Sequence, residues 1–147
     1  TYPQVFTDIR FGDHLTLWGY TLPLGESYRP NERIPITLFW QTDEPLDQNY
    51  NVGLLLRQKE PDWPIAQQPN DPEPLWGFAP TSTWQPYTPI YDNRAIQLPS
   101  EVGAGEYVLW VLVYPTGQPD ALLAVTAEQT ALDGQVAVLP VVITVTD

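Results

Sequence analysis

The sequence contains no cysteine and no methionine, and it has a single histidine and only six basic residues. The absence of cysteine excludes disulfides and thiol chemistry, and with one histidine it leaves too few ligands for a usual zinc site. It does not decide the redox compartment. No apolar run reaches the roughly 20 residues of a membrane-spanning helix, and no signal peptide is visible. Because methionine is missing even at position 1, we expect a processed product or a piece excised from a longer protein.

Basic residues are scarce relative to acids, since 18 acids oppose six bases and give a net charge of −12. A charge of this sign repels phosphate backbones, so we do not expect nucleic acid or anionic lipid surfaces as partners. A cation, a neutral polymer or a basic protein surface remains open as a partner.

Proline and glycine are abundant, with 17 and nine copies, while 43% of the residues are hydrophobic. So many proline and glycine residues argue against long helices, and the high apolar content argues against a disordered chain. The combination predicts short strands separated by turns. A chain of 147 residues predicts one domain, spanning residues 1–147, that buries roughly 70% of its unfolded surface.

The most apolar stretch, residues 105–114, reads Gly-Glu-Tyr-Val-Leu-Trp-Val-Leu-Val-Tyr. Its aromatic and β-branched content favours a strand over a buried helix. Residues at both odd and even positions are apolar, so both faces of the strand are apolar. We therefore expect a central strand that is covered on both sides.

Further strands are predicted from alternation, and together with the central strand they make about eight. The predicted segments are residues 5–11, 14–22, 34–40, 50–56, 90–98, 122–126 and 136–145, the last broken or bulged near Pro140. The third and fourth segments have one clear apolar face each, which favours an antiparallel pair. The fold class that follows is an all-β, two-sheet antiparallel sandwich, immunoglobulin-like or jelly-roll-like, with one long loop rich in proline and tryptophan at residues 59–89.

Several pieces of the sequence resemble the non-catalytic β-sandwich domain at the extracytoplasmic C-terminal end of some bacterial multi-spanning membrane proteins, many of them glycosyltransferase-like. The pieces are Gly12-Asp13-x-Leu15-x-Leu17-x-Gly19-Tyr20, Ile34-x-Ile36-Thr37-Leu38-Phe39-Trp40-Gln41, Pro80-Thr81-Ser82-x-Trp84, Tyr91-Asp92 leading to Leu98-Pro99, and Gly105-x-Tyr107-x-Leu109-x-Val111. The resemblance covers most of the chain. It implies an accessory domain of unknown function, without catalytic residues, in a larger extracytoplasmic protein that is membrane-anchored or secreted.

Aromatic residues provide the candidate binding site. Strict alternation predicts that Trp18, Tyr20, Phe39, Trp110 and Tyr114 share one outer sheet face, and Trp63, Trp76 and Trp84 lie in the long loop. Exposed rings of this kind stack on the apolar faces of sugars, and a large exposed apolar patch marks an interaction surface. The alternative is that the long loop folds over this face and forms a second small core with it.

Polar candidates are weaker. His14 and Asp13 are candidates for two members of a catalytic triad, with Ser27, Ser82 or Ser100 as the nucleophile. None of these serines lies in a Gly-x-Ser-x-Gly nucleophile elbow, so a histidine in a surface turn is the simpler interpretation. Calcium is a possible cofactor at Asp43, Glu44 and Asp47 or at Asp62, Asp71 and Glu73, although neither set has the spacing of a known loop. The simpler interpretation of these acids is a solvated loop. Eighteen acids make some glycosidase-like carboxylate pair inevitable by chance.

The sequence therefore predicts a non-catalytic binding domain that needs no cofactor, recognises a glycan or a neighbouring protein domain, and does not itself insert into a membrane. The first alternative is a purely structural spacer without a ligand. The last is a hydrolase.

Overall fold

The computed structural model describes residues 2–23, 27–58 and 64–147. The strands in these ranges are β1 (Val5–Phe11), β2 (Leu15–Thr21), β3 (Arg33–Thr42), β4 (Tyr50–Gln58), β5 (Pro64–Gln67), β6 (Ile90–Gln97), β7 (Gly105–Pro115), β8 (Val125–Thr126), β9 (Thr130–Ala131) and β10 (Val136–Val145). Two short 3₁₀ segments, Pro74–Gly77 and Thr81–Thr83, are the only helical elements in this part of the chain. None of its helices is long and apolar enough to cross a bilayer.

The strands form two five-stranded antiparallel sheets. Sheet A has the order β6-β3-β2-β1-β8, and sheet B has the order β5-β4-β7-β10-β9. The main core lies between them and is built from the inward residues of both sheets, among them Leu17, Leu38, Trp40, Leu54 and Val111. The predicted all-β, two-sheet sandwich is confirmed, and every predicted strand is present.

The third and fourth strands do not pair with each other, so that prediction was wrong. β3 pairs with β2 and β6 in sheet A, whereas β4 pairs with β5 and β7 in sheet B. The connection between them crosses from one sheet to the other. Each strand still has one apolar face, because the two faces meet across the core rather than lie side by side in one sheet.

Strand β7 lies in the middle of sheet B, between β4 and β10, as predicted. Its odd-numbered residues face the main core. On the opposite face, Trp110 is buried by its neighbours, and the guanidinium carbon of Arg57 lies 4.0 Å from the centre of its ring. Trp110, Val136 and Val138 form a second small core on this outer face of sheet B. The cover over β7 therefore comes chiefly from neighbouring strands.

A register shift in β2 reverses the alternation of that strand. Leu17 pairs with Trp40, but Gly19 pairs with Phe39, so β2 contains one extra residue at Trp18. An extra residue of this kind moves every following side chain to the other face. Tyr20 is therefore buried in the main core rather than on the outer face, which corrects the expectation from strict alternation.

A second irregularity lies in β10, where the pairing with β7 shifts between Val138 and Val142. The predicted bulge near Pro140 is thus confirmed. Proline has no N–H to donate to a ladder, so a bulge is one of the few places in a sheet where it is tolerated.

The described part of the long loop closes the side of the sandwich between β4 and β6. Tyr50 N donates to Thr81 Oγ1 at 3.1 Å, which satisfies part of the outer edge of β4. Leu75 N donates to Asp92 Oδ1 at 3.0 Å, which joins the loop to β6. The loop thus contacts both sheets, and its residue Asp71 also contacts Tyr114 on the outer face of sheet B.

Candidate functional site

Four aromatic side chains form a row across the outer face of sheet A, and we call Phe6, Trp18, Phe39 and Tyr91 the aromatic row. They lie on four adjacent strands, β1, β2, β3 and β6. Successive ring centres are 6.2, 5.5 and 5.2 Å apart, in tilted or edge-to-face geometry. Phe6 is 65% exposed and Tyr91 is 40% exposed, so the row ends in two accessible rings.

The extra residue in β2 is what completes this row. It leaves Trp18 on the outer face, within ring contact of both Phe6 and Phe39. Gly19 follows, and a Cβ at that position would lie only 2.3 Å from Pro3 Cγ. Only glycine fits there, because the N-terminal proline packs directly against the strand beside the row.

Uncharged polar side chains lie beside the aromatic row, and we call Thr21, Thr37 and Asn93 the polar row. Thr21 pairs with Thr37, and Thr37 pairs with Asn93. The Thr37 hydroxyl donates to Asn93 Oδ1 at 2.7 Å, and Gln4 N donates to Thr21 Oγ1 at 3.0 Å. A shallow groove of about 330 Å³ lies over these side chains.

Three of the four strands that carry the aromatic row have no exposed acidic side chain, whereas β1 carries the exposed Asp8. Strands β2, β3 and β6 contain a single acid, Asp92, which is buried on the core side. The outer surface of these three strands is therefore aromatic, hydroxyl and amide in character, with Arg33 at one end.

Trp110 and Tyr114 are not on this face, and the prediction of one shared aromatic surface was wrong. Both lie on β7 and project from the outer face of sheet B, on the opposite side of the sandwich. Trp110 is buried beneath Arg57. Tyr114 donates its hydroxyl to Asp71 Oδ2 at 2.8 Å. Alternation places a residue on one face of its own strand, but it does not say to which sheet that strand belongs.

The loop tryptophans differ in their surroundings. Trp84 is buried in the main core, and its Nε1 donates to Ala79 O at 2.8 Å, so it is a packing residue. Trp76 is 61% exposed, and the neighbouring Phe78 is 92% exposed. Trp63 lies outside the described residues. Of the three loop candidates, only Trp76 is seen to be accessible.

A buried ion pair fixes the turn that carries Trp76. Arg94 Nε donates to Asp92 Oδ2 at 2.7 Å, and each side chain is only 1% exposed. The Trp40 indole also donates to Asp92, at 3.1 Å. Because Asp92 accepts from Leu75 N, it holds Leu75 and Trp76, which both have left-handed backbone angles with φ of 52° and 56°.

The remaining donors of Arg94 reach across to sheet B and the long loop. The guanidinium donates to Val52 O at 2.9 Å, to Gln68 Oε1 at 3.0 Å and to Pro72 O at 2.6 Å. A buried charge is tolerated only when it is paired and hydrogen-bonded, and Arg94 is paired with Asp92 and donates to three further acceptors. The sequence analysis missed this pair. Its signal was the alternation of β6, which places Asp92 and Arg94 on the same face as the buried Ile96.

His14 lies in a turn at the end of the sandwich with two acidic neighbours. Its Nδ1 is 2.8 Å from Asp43 Oδ1, and its Nε2 is 3.4 Å from Glu44 Oε2. Both ring nitrogens therefore face carboxylates, and neither is left to activate a serine. Asp62 of the calcium candidates lies outside the described residues. Among the described residues, no group of three or more His, Cys, Asp or Glu side chains is arranged to hold a metal ion.

Two tyrosines have perturbed acidities. Burial raises the pKa of Tyr20 to about 12. Burial, followed by the hydrogen bond to Asp71 and the charge of that carboxylate, raises the pKa of Tyr114 to about 12. Both hydroxyls stay neutral at physiological pH, so neither is poised as a general base.

The fold and this surface define a two-sheet antiparallel β-sandwich with a row of aromatic side chains across one sheet face. No protein-family model and no curated protein matches the sequence. One solved structure with a similar fold is described as a Niemann-Pick type C2 protein from Japanese carpenter ant. The TM-score is 0.54, the alignment covers 97% of this chain and 99% of that chain, and the identity is 8%. At that identity the similarity concerns the fold alone.

Proposed function

We propose that this domain is a non-catalytic binding domain that recognises an uncharged glycan on the outer face of sheet A. The aromatic row is the observation that carries the proposal. Aromatic rings at the two exposed ends, Phe6 and Tyr91, offer apolar surface to the C–H faces of sugar rings. Hydroxyl and amide groups beside them are suited to sugar hydroxyls, which both donate and accept hydrogen bonds.

Charge favours an uncharged ligand. A net charge of −12 repels acidic polymers over the distance of a Debye length, about 8 Å at physiological salt. A neutral glycan is not repelled, and over β2, β3 and β6 it meets no exposed carboxylate. The affinity is expected to be modest, because two partly exposed rings supply little apolar area. Covering about 100 Å² of ring surface contributes only about 2.5 kcal/mol before the costs of association.

The sequence resemblance supports the same role in a wider setting. We propose that the domain is an accessory part of a larger extracytoplasmic protein and that it holds a glycan near a neighbouring enzyme. No residue arrangement in the described chain favours hydrolysis, and we do not propose it.

A purely structural role is the second candidate, and the long loop is what favours it. Trp84 is buried in the main core, and the Asp92–Arg94 pair ties the loop to both sheets. These contacts account for much of the loop as packing. They do not account for the exposed rings of Phe6 and Tyr91, which make no contribution to the core between the sheets.

The experiment is binding of the purified domain to a glycan array, followed by titration with the neutral oligosaccharides that are retained. Phe6→Ala and Tyr91→Ala should each weaken binding at least about fivefold, because each removes a ring of roughly 1 kcal/mol or more. Phe78→Ala is the matched control, since it removes an exposed ring of the long loop that is in no ring contact with the aromatic row. Its affinity should be unchanged.

Two results would reject the proposal. One is the absence of binding to every neutral glycan on the array. The other is loss of binding in Trp76→Ala together with wild-type affinity in Phe6→Ala and Tyr91→Ala, which would move the site to the loop.

A further inference from the structure

The polar row runs parallel to the aromatic row on the same sheet face. Thr37 precedes Phe39 by two residues on β3, and Asn93 follows Tyr91 by two residues on β6. Two residues along a strand correspond to about 7 Å, and adjacent strands are about 4.8 Å apart. A flat molecule that covers the aromatic row therefore has its edge over the polar row.

The hydrogen bonds within the polar row fix what each member can offer a ligand. Thr21 Oγ1 already accepts from Gln4 N, so its hydroxyl hydrogen is left to donate. The Thr37 hydroxyl already donates to Asn93 Oδ1, so its oxygen is left to accept. That same bond orients the Asn93 amide and leaves both hydrogens of Nδ2 without a partner among the described residues.

The row thus presents a donor, an acceptor and a donor on three adjacent strands. Thr21, Thr37 and Asn93 all line the shallow groove of about 330 Å³, so these groups lie in a concave surface. Thr21 and Thr37 are half-buried and Asn93 is exposed, which makes the groups accessible without leaving them mobile on long side chains.

We infer that the polar row determines which sugars the domain binds, by reading the hydroxyl pattern at the edge of a ring that lies on the aromatic row. This inference rests on the proposed glycan-binding function. The ligand class is a neutral oligosaccharide that crosses the strands, with acceptor oxygens opposite Thr21 and Asn93 and a donating hydroxyl opposite Thr37. The aromatic row provides affinity for sugar rings in general, and the polar row selects among their epimers.

The variant that tests this inference is Asn93→Asp, which keeps the shape of the side chain and the bond from Thr37 but replaces the two donors with acceptor oxygen. Thr21→Val removes the other donor with little change of volume. Each should weaken binding of the preferred neutral oligosaccharide about five- to tenfold, the value of one or more lost hydrogen bonds. Each should also reduce the preference between epimers on the array.

Gln41→Glu is the matched control. Gln41 lies on β3 two residues beyond Phe39, on the side of the aromatic row away from Thr37, and it is also half-buried. The substitution adds the same negative charge at a similar distance from the rings. Its affinity should stay within about twofold of the wild type, because no hydrogen bond to the ligand is lost.

The outcomes separate the two proposals. If Tyr91→Ala abolishes binding while Asn93→Asp and Thr21→Val bind with wild-type affinity and preference, the glycan site stands and the role of the polar row is rejected. If Asn93→Asp and Gln41→Glu weaken binding equally, charge alone is responsible and the role of the polar row is again rejected. If the wild type binds no neutral glycan, the proposed function fails and this inference fails with it. Thermal unfolding of each variant confirms that the fold is retained.

Discussion

Replacing Arg94 with methionine should destabilise this domain more than almost any other single change outside the main core. The substitution leaves the buried Asp92 without its cation. It also removes the donors that satisfy Val52 O, Gln68 Oε1 and Pro72 O. Breaking a buried ion pair by removing one partner costs about 3–5 kcal/mol. Total stability for domains is about 5–15 kcal/mol, so a large share of the folding free energy is at stake.

The assay is equilibrium unfolding in urea, followed by tryptophan fluorescence, with a thermal melt in parallel. At about 2–4 °C per kcal/mol for a domain of this size, Arg94→Met should lower the Tm by about 6–20 °C. Arg33→Met is the control, because Arg33 is an exposed arginine on the neighbouring strand. It should stay within about 0.5 kcal/mol of the wild type.

A double variant measures the coupling energy between Asp92 and Arg94. In Asp92→Leu/Arg94→Met no unpaired charge remains buried, so the cost should be smaller than the sum of the single variants by about 1–3 kcal/mol. Additive costs in the cycle would show that the two charges do not depend on each other. A loss below about 1 kcal/mol for Arg94→Met alone would refute the view that this pair holds the loop between the sheets.

Three further predictions concern stability. Trp84→Ala should cost about 3–5 kcal/mol because it empties part of the main core, whereas Trp76→Ala should cost under about 1 kcal/mol, as thermal melts of the two would show. Gly19→Ala should lower the free energy of unfolding by about 1–3 kcal/mol, because the added Cβ would lie 2.3 Å from the ring of Pro3. Gly103→Ala is the control, since its Cβ would lie 3.8 Å from the nearest atom, and its stability in the same urea assay should be unchanged. Tyr20→Phe should stabilise the protein by about 1 kcal/mol at neutral pH, because the buried hydroxyl of Tyr20 has no partner among the described residues; a destabilised variant would contradict this.

The same tyrosine gives a pH dependence with a definite sign. The pKa of Tyr20 is raised to about 12 by burial, whereas an unfolded tyrosine ionises near its ordinary value of 10. The neutral form is therefore favoured by folding, and its contribution to stability is complete below pH 10 and is lost as pH rises through about 12. Urea unfolding of wild type and Tyr20→Phe at pH 9 and pH 11.5 measures the effect. The wild type should lose more stability over this interval than the variant.

The sequence predicted the strands well because alternation is a local property. Residues 105–114 were expected to form a central strand, and β7 is the middle strand of sheet B. The errors arose where one strand meets another. A single extra residue at Trp18 turned Tyr20 inward, and the paired residue that reveals it, Phe39, is distant in the sequence.

The candidate site was predicted only in part for the same reason. Trp18 was a candidate and lies in the aromatic row, but Tyr20, Trp84 and Trp110 are buried by contacts that no local pattern contains. The polar row depends on register, since the Thr37 and Asn93 side chains that meet are 56 residues apart in the sequence. The Asp92–Arg94 pair could have been predicted from the sequence, because two opposite charges at the inward-facing positions of a strand favour a buried ion pair.

The outermost strands β8 and β9 affect how this protein behaves in concentrated solution. Each has just two residues, so the outermost strand of each sheet on that side offers very little backbone for another chain to extend. Edge-to-edge pairing of sheets from different molecules needs a longer exposed edge strand than this. Exposed aromatic rings that bind a partner also favour self-association of the domain. At this edge, the short outermost strands and the repulsion between molecules of net charge −12 both disfavour pairing between copies.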